Sequence, residues 1–421
     1  MLENVGWLLA GKGVGALLSL IYLAIATRTL GPEPFGQFVL ILGTAQFVSS
    51  FVAFSTWQAT VRFGMAHVSS EYSPVLSRLI AFCLALDIGG AITGCIIATA
   101  GVFLLGPAFG WSSDLQLAAL LFSFVMLLST RSTAVGILRL HDQFAKGAAA
   151  DTAMPVTRLI GALLVLQTGP SVVGFLITWA ASEVVTALTY WVLANRTTGW
   201  SIRSVGFRGA REAPGEHPGL WHFVGITNVS GTLNAVSKQF VVLAVGLVVG
   251  PAAAGAYRLA HQLGQALARV SDLLSRAMFA ELARVHAGGG PEQIRRLFRS
   301  GFKLALGAGT TIAALLLLAG EPILKLVAGE AFAGAYPLLL LLGFAAAVDL
   351  VGVSFEPALM ATGRAGKAFR LRIAVTALLL ILLAILLPLW GALGAATATL
   401  IASITGLFLY GLVSWRAVHA A

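Results

Sequence analysis

Charge is what this sequence has least of. Only 10% of its 421 residues are Asp, Glu, Lys or Arg, while 58% are hydrophobic; a soluble domain carries about 25% charged and 45 to 50% apolar residues. That scarcity excludes a water-soluble globule. Cysteine is nearly absent too: Cys83 and Cys95 share one apolar stretch and, on a helix, stand about 18 Å apart, too far to bridge and too few to hold a metal. GKGVG at 11–15 lacks the spacing and the hydroxyl of a phosphate-binding P-loop, and there is no HExxH and no DxD pair. ATP-driven transport by this chain alone, zinc hydrolysis and metal-dependent sugar-nucleotide transfer are thereby excluded. Connections such as GPAFGWSSD and QTGPS are too short to carry an acid, a base and an acceptor site together. Neither an enzyme nor a cofactor is expected.

What is present is apolar sequence in blocks of eighteen residues or more, enough for a helix to cross about 30 Å of hydrocarbon. The chain reads as an all-α polytopic membrane protein with twelve spans, at 4–27, 37–60, 78–105, 113–136, 152–168, 171–194, 222–249, 253–280, 303–327, 334–361, 370–388 and 391–413. MLENVGWLLAGKGVG has no basic leader and no clear cleavage site, so it reads as a retained first span. Most of the 27 Lys and Arg flank one set of span ends, Arg131, Arg139, Lys146 and Arg158 among them; the exceptions are Lys12, Arg28, Lys238, Arg258, Arg269 and Lys325. Basic flanks stay in the cytoplasm, so both termini are expected there. The net charge of +10 then marks topology against anionic membrane lipid, and no nucleic-acid partner is expected.

LGPEPFGQF at 30–38 is echoed by VGPAAAGAY at 249–257, an offset of 219. The same offset carries Gly6 onto Gly225, Gln46 onto Gln265 and His67 onto His286. The echo reads as a duplication of six spans, which keeps both copies in one membrane orientation. The expected organisation is an N-lobe at 1–194, a hydrophilic cytoplasmic linker at 195–221 and a C-lobe at 222–421.

Ionisable and amide side chains inside apolar spans are costly, about 2.5 to 3.5 kcal/mol for a charge, and therefore face a partner or water. The seventh span sets Thr227, Gly231, Asn234 and Lys238 on one helical face; the eighth sets Arg258, Gln262, Gln265, Arg269, Asp272 and Arg276 in one stripe. Mutual neutralisation explains Arg269, Asp272 and Arg276, whereas a hydrated lumen explains all six. Lys12, Tyr22, Gln46 and Trp57 make a milder face in the first half, where Lys12 has the alternative of snorkelling to the surface. The acids expected at depth are Asp87, Glu183, Asp349 and Glu356, candidates for ion coupling or for structural pairing.

LGPEPFGQF closing a first hairpin, VRFGMA after the second span, the basic GILRLHDQF loop and VVGPAAAGAYRLA in the second half together resemble the Wzx-like oligosaccharide flippases. These polysaccharide export proteins belong to the multidrug/oligosaccharidyl-lipid/polysaccharide (MOP, MATE-like) exporter superfamily. The resemblance covers nearly the whole chain, with one departure: related sequences often carry an Asp where Ser237-Lys238-Gln239 stands. It implies two pseudo-symmetric six-helix lobes forming a V in a bacterial inner membrane. The implied activity moves undecaprenyl-pyrophosphate-linked oligosaccharide from the cytoplasmic to the periplasmic leaflet by alternating access, for surface polysaccharide synthesis. A proton or sodium gradient would drive it, and a polysaccharide polymerase or export machinery would be a partner. Arg or Lys on a polar wall suits a pyrophosphate; Gln46, Gln262, Gln265 and Asn234 suit sugar hydroxyls, and Tyr22 and Trp57 suit sugar faces. A multidrug cation antiporter of the same fold would want acids where this chain has Lys238 and Arg258, and a membrane-embedded glycan polymerase or ligase would want a large outer loop.

Overall fold

Glycine and proline set the turns, and apolar sequence fills the helices between them. The computed structural model describes residues 2–68, 73–198, 207–285, 291–353, 355, 359 and 365–419; the side chains of 2–12, 207–208, 230–231, 233–238, 269–285, 291–299, 365 and 416–419 lie outside that description. The helices are α1 (Leu2–Leu30), α2 (Pro32–Val52), α3 (Thr56–Gly64), α4 (Pro74–Leu105), α5 (Ser113–Leu128), α6 (Ser132–Leu140) and α7 (Phe144–Thr168). They continue as α8 (Val172–Thr197), α9 (Ala213–Glu216), α10 (Leu220–Val248), α11 (Pro251–Val285), α12 (Pro291–Ala328), α13 (Tyr336–Val351) and α14 (Ala365–His419). No strand occurs among the described residues. Ser73, Ser112 and Ser171 cap α4, α5 and α8, each hydroxyl accepting a backbone N–H three residues on, which satisfies donors that a helix start leaves open.

Nine stretches among the described residues are long and apolar enough to cross a membrane. The last of them, 50 residues in length, bends at Gly391 (φ 58, ψ −140) just after Pro388. At about 1.5 Å per residue each arm is long enough to cross alone. The chain is an all-helical membrane protein with at least nine candidate spans.

Seven glycines among the described residues have positive φ, a region that a Cβ disfavours; apart from Gly219 (85°), which precedes α10, they are Gly31 (74°), Gly110 (72°), Gly169 (106°), Gly250 (114°), Gly329 (83°) and Gly391 (58°). The first and fourth are 219 residues apart, the second and fifth 219, and the third and sixth 222, so one plan of three hairpins occurs twice. Pro32 and Pro251 each open a helix, where a missing N–H costs nothing. Phe35 N donates to Gly31 O at 3.1 Å and Ala254 N to Gly250 O at 3.2 Å, again at the same offset. The two equivalent turns also touch. A Cβ on Gly255 would lie 3.0 Å from Gly36 Cα, and one on Gly36 would run into the Pro251 carbonyl. Ala252 N donates to Glu33 Oε2 at 3.2 Å, placing a carboxylate at the positive end of α11.

Two compact units are present, 1–30 with 37–243 and 31–36 with 244–421. The first packs Leu79, Ile80 and Cys83 of α4 against Ala134, Ile137 and Leu138 of α6, with Ala59, Tyr190, Ala213 and Leu220 completing the core. In the second, Tyr257 and Leu259 of α11 are buried with Leu316 of α12 and Leu339 of α13, and the Tyr257 hydroxyl lies 2.9 Å from Thr399 Oγ1 on α14.

Within the first unit, the far end of the 195–221 stretch is not a free loop. Arg78, at the start of α4, holds Glu216 with two hydrogen bonds, one of 3.0 Å from Nε, and stands 3.6 Å from Glu212. His217 is buried, its ring 5.4 Å from that of His67 and 5.7 Å from Phe63. The guanidinium of Arg62 lies 4.5 Å from the centre of the Phe223 ring. Hydrogen bonding from Arg78 holds the Glu216 carboxyl below its usual range, and burial with the neighbouring His67 holds the His217 imidazole below its own.

Candidate functional site

Two of the expected spans are broken. The 37–60 stretch is interrupted between α2 and α3 at 53–55, and 113–136 between α5 and α6 at 129–131. Backbone freed inside a membrane needs new partners, and here several come from another helix. Trp191 Nε1 donates to Thr130 O at 2.9 Å and Ser132 Oγ to Phe54 O at 3.3 Å, while Trp57 N donates to Ser132 Oγ at 3.2 Å. The half-helices α3 and α6 then approach closely: a Cβ on Gly136 would lie 2.7 Å from Thr60 Cβ and 2.9 Å from Trp57 Cα.

Asp87, buried on α4, ties both breaks. It accepts from Thr56 Oγ1 (2.8 Å), from Thr133 Oγ1 (2.7 Å) and from Thr133 N (3.0 Å). One carboxylate thus caps the first turn of α6 and fixes the first residue of α3. No ion pair to Asp87 exists among the described residues.

Glu183, buried on α8, has the opposite surroundings. Arg131, in the second break, donates to one of its oxygens at 2.7 Å, and Arg158 on α7 donates to the other at 3.1 Å. Arg158 also donates to Ser182 Oγ at 2.9 Å and stacks with its guanidinium carbon 3.4 Å from the Trp179 ring centre. Tyr22 closes this cluster edge-on to Phe175 and Trp179, at 5.9 Å from each. It is 4% exposed, and its hydroxyl has no hydrogen-bond partner among the described residues.

The remaining candidates are dispersed. Gln46 accepts from Gln239 at 2.7 Å, the first rung of a seam in which Thr232 Oγ1 donates to Ser50 O at 2.7 Å and Asn228 to Ala53 O at 3.4 Å. Trp57 is half-buried under the Arg139 guanidinium, 4.0 Å from its ring centre. Arg258, Gln262 and Gln265 are half-buried along one face of α11. Asp349 lies in the candidate span Glu330–Val351 and is exposed on the surface of α13. Lys12, Asn234, Lys238 and Arg269 lie on described helices, but their side chains fall outside the description, and Glu356 lies outside the described residues altogether.

Sequence reasoning placed Arg131 and Arg158 among the inner loops; in the structure they are the partners of Glu183. Arg158 sat inside an apolar span, and an acid such as Glu183 at depth demands a cation, so that signal was available. Thr56, Thr133, Trp179 and Ser182 were also missed, and hydroxyls and one indole among apolar residues carry no comparable signal.

The fold is that of the MOP transporters. A multidrug resistance transporter of the MATE family in an inward-facing conformation superposes with a TM-score of 0.68 at 16% identity, over 96% of this chain and 95% of that one. Lipid II flippase MurJ in an inward closed conformation gives 0.74 at 12% identity, over 96% and 87%. The family profile of polysaccharide biosynthesis proteins matches residues 1–279, and the chain belongs to that family. Inner membrane protein YghQ of Escherichia coli (strain K12) is 29% identical over 348 residues, 80% of this chain and 95% of that protein. The protein is a multi-pass inner-membrane protein with a transporter fold, involved in polysaccharide biosynthesis.

Proposed function

We propose that the protein is a flippase that moves a polyprenyl-pyrophosphate-linked oligosaccharide from the cytoplasmic to the outer leaflet by alternating access, driven by an ion gradient. In this reading the chain crosses twelve times as two six-helix lobes, residues 1–194 and 222–421, with both termini cytoplasmic. The observation that carries it is the stripe of Arg258, Gln262 and Gln265, half-buried on one face of α11, in a chain of the polysaccharide biosynthesis family. A guanidinium beside carboxamides suits a pyrophosphate followed by sugar hydroxyls, and Lys238 and Arg269 extend the same charge in the sequence. A carrier of organic cations would be opposed by these groups.

The test is a leaflet-resolved measurement of lipid-linked sugar in a deletion strain. Accumulation on the inner leaflet, reversed by the wild-type gene but not by Arg258→Ala or Lys238→Ala variants that insert normally, is the expected result. Unchanged distribution of lipid-linked sugar in the deletion strain, or full export by both variants, would overturn the reading. Loss of dye efflux with no change in lipid-linked sugar would instead assign the protein to cation export.

A further inference from the structure

Two of the candidate acids, Asp87 and Glu183, are buried within candidate spans and differ in one respect that matters for coupling. Glu183 is compensated by two guanidiniums, so taking up a proton there would strand two half-buried cations. Among the described residues, Asp87 is held only by neutral donors, two hydroxyls and one backbone amide. We propose that Asp87 is a proton-binding site, and that its occupancy controls how firmly half-helices α3 and α6 are seated at the two breaks.

The chemistry follows from the three bonds. As a carboxylate, Asp87 accepts all three, and charge makes each stronger than a neutral hydrogen bond. When a proton adds to one oxygen, that oxygen becomes a donor and its neighbouring threonine hydroxyl must turn to accept. Thr56 and Thr133 are placed for this exchange, their hydroxyl oxygens being 3.2 Å apart. The Thr133 amide then faces a neutral acceptor and the tie on α6 weakens. Among the described residues no charged group pairs with Asp87. Cys83 lies one turn earlier on α4 and donates to Thr56 O. Arg131, just before α6, is engaged by Glu183 of α8, and Arg139 on α6 by Trp57. Arg62, further along α3, lies over Phe63 and Phe223. Among the candidate acids, the geometry therefore favours Asp87 over Glu183.

As a coupling site Asp87 rests on the transport reading, but as a proton site it does not, and two measurements separate them. The first is infrared difference spectroscopy of the purified full-length protein in lipid across a pH series, with no substrate added. A carboxyl carbonyl band that appears on acidification, is absent from Asp87→Asn and persists in Glu183→Gln is expected. Thr133→Val, which keeps the backbone amide, should displace its midpoint. Bands identical in wild type, Asp87→Asn and Thr133→Val would overturn the proposal. The second imposes a gradient of one pH unit, about a tenfold change in proton activity, on vesicles loaded with lipid-linked glycan. The rate ratio between the two gradient directions should fall to about one in Asp87→Asn. If that ratio is unchanged from wild type, Asp87 is not the coupling site. An Asp87-dependent band without any gradient-driven movement of glycan supports the proton site and sinks the transport reading instead.

Discussion

Replacing Glu183 by Gln should be among the most damaging single substitutions in the first unit. The change removes the one carboxylate that receives Arg131 at 2.7 Å and Arg158 at 3.1 Å, leaving two cations with a neutral amide between them. Breaking a buried ion pair by removing one partner costs about 3 to 5 kcal/mol. At about 2 to 4 °C per kcal/mol for a folding unit of this size, the midpoint of thermal unfolding in detergent should fall by roughly 6 to 20 °C. Arg158→Gln should come next, since it also loses the Ser182 bond and the stacking on Trp179, which is worth about 2 kcal/mol when desolvated. Arg131→Gln should cost least, because 28% of its side chain is exposed against 14% for Arg158. The decisive quantity is the double mutant. With Glu183 already neutral, removing Arg158 also removes a stranded charge, so Glu183→Gln with Arg158→Gln should be less destabilised than the sum of the singles by about 1 to 3 kcal/mol. Additivity within about 0.5 kcal/mol, or an unshifted midpoint for Glu183→Gln, would refute the account of a charge-compensated buried cluster.

The turn contact makes a second prediction. Gly36→Ala sets a methyl group against the Pro251 carbonyl, a backbone atom that no rotamer change can move, and should cost at least about 1 to 3 kcal/mol; Gly89→Ala, in open space inside α4, should be neutral or slightly stabilising by the same unfolding assay. A third concerns pH at the docked 213–219 segment. His217 has its imidazole pKa lowered from the ordinary 6.5, so its neutral form contributes stability that is fully present above about pH 6.5 and is lost as pH falls through that value toward the lowered one. Glu216, lowered from 4.5, adds a loss in the same direction below its own ordinary value. Amide exchange in 213–219, corrected for its intrinsic pH dependence, should therefore accelerate as pH falls below 6.5. His217→Gln should remove the step that begins there, and a flat profile in the wild type would contradict the assignment.

Hairpin turns were legible in the sequence because their cause is local. Gly31-Pro32 and Gly250-Pro251 combine a residue that tolerates positive φ with one that starts a helix, and the 219-residue offset between them reappears as a contact in space. The bend at Gly391 likewise falls where Pro388 and Gly391 separate two apolar runs. The helix breaks were illegible for the complementary reason. Ala53-Phe54-Ser55 and Ser129-Thr130-Arg131 contain no Gly or Pro; what holds those breaks is hydrogen bonding to Asp87 and from Ser132, Trp191 and Asn228, residues up to 175 positions away. Tyr22 illustrates the same limit. A tyrosine on a milder polar face with Lys12 suggested a sugar platform, yet the ring is packed among Phe175 and Trp179, contacts that no spacing rule along α1 encodes.

The polar face of α10 shows how far an expectation from periodicity carries. Thr227, Gly231, Asn234 and Lys238 form one stripe by spacing; the residues that bond to α2 are Asn228, Thr232 and Gln239, each one position further along. A helix turns about 100° per residue, so the bonded stripe lies beside the expected one rather than upon it. Thr227 accordingly spends its hydroxyl on its own helix, donating to Phe223 O at 2.9 Å and Val224 O at 3.1 Å. The polar arc is thus wide enough for two roles. One edge seals α10 to carbonyls at the end of α2, Thr232 to Ser50 O and Asn228 to Ala53 O, while Gln239 bonds the Gln46 side chain. Asn234 and Lys238, whose side chains lie outside the description, carry the other edge by spacing alone, and it is there that the Lys238→Ala variant tests the proposed anionic cargo.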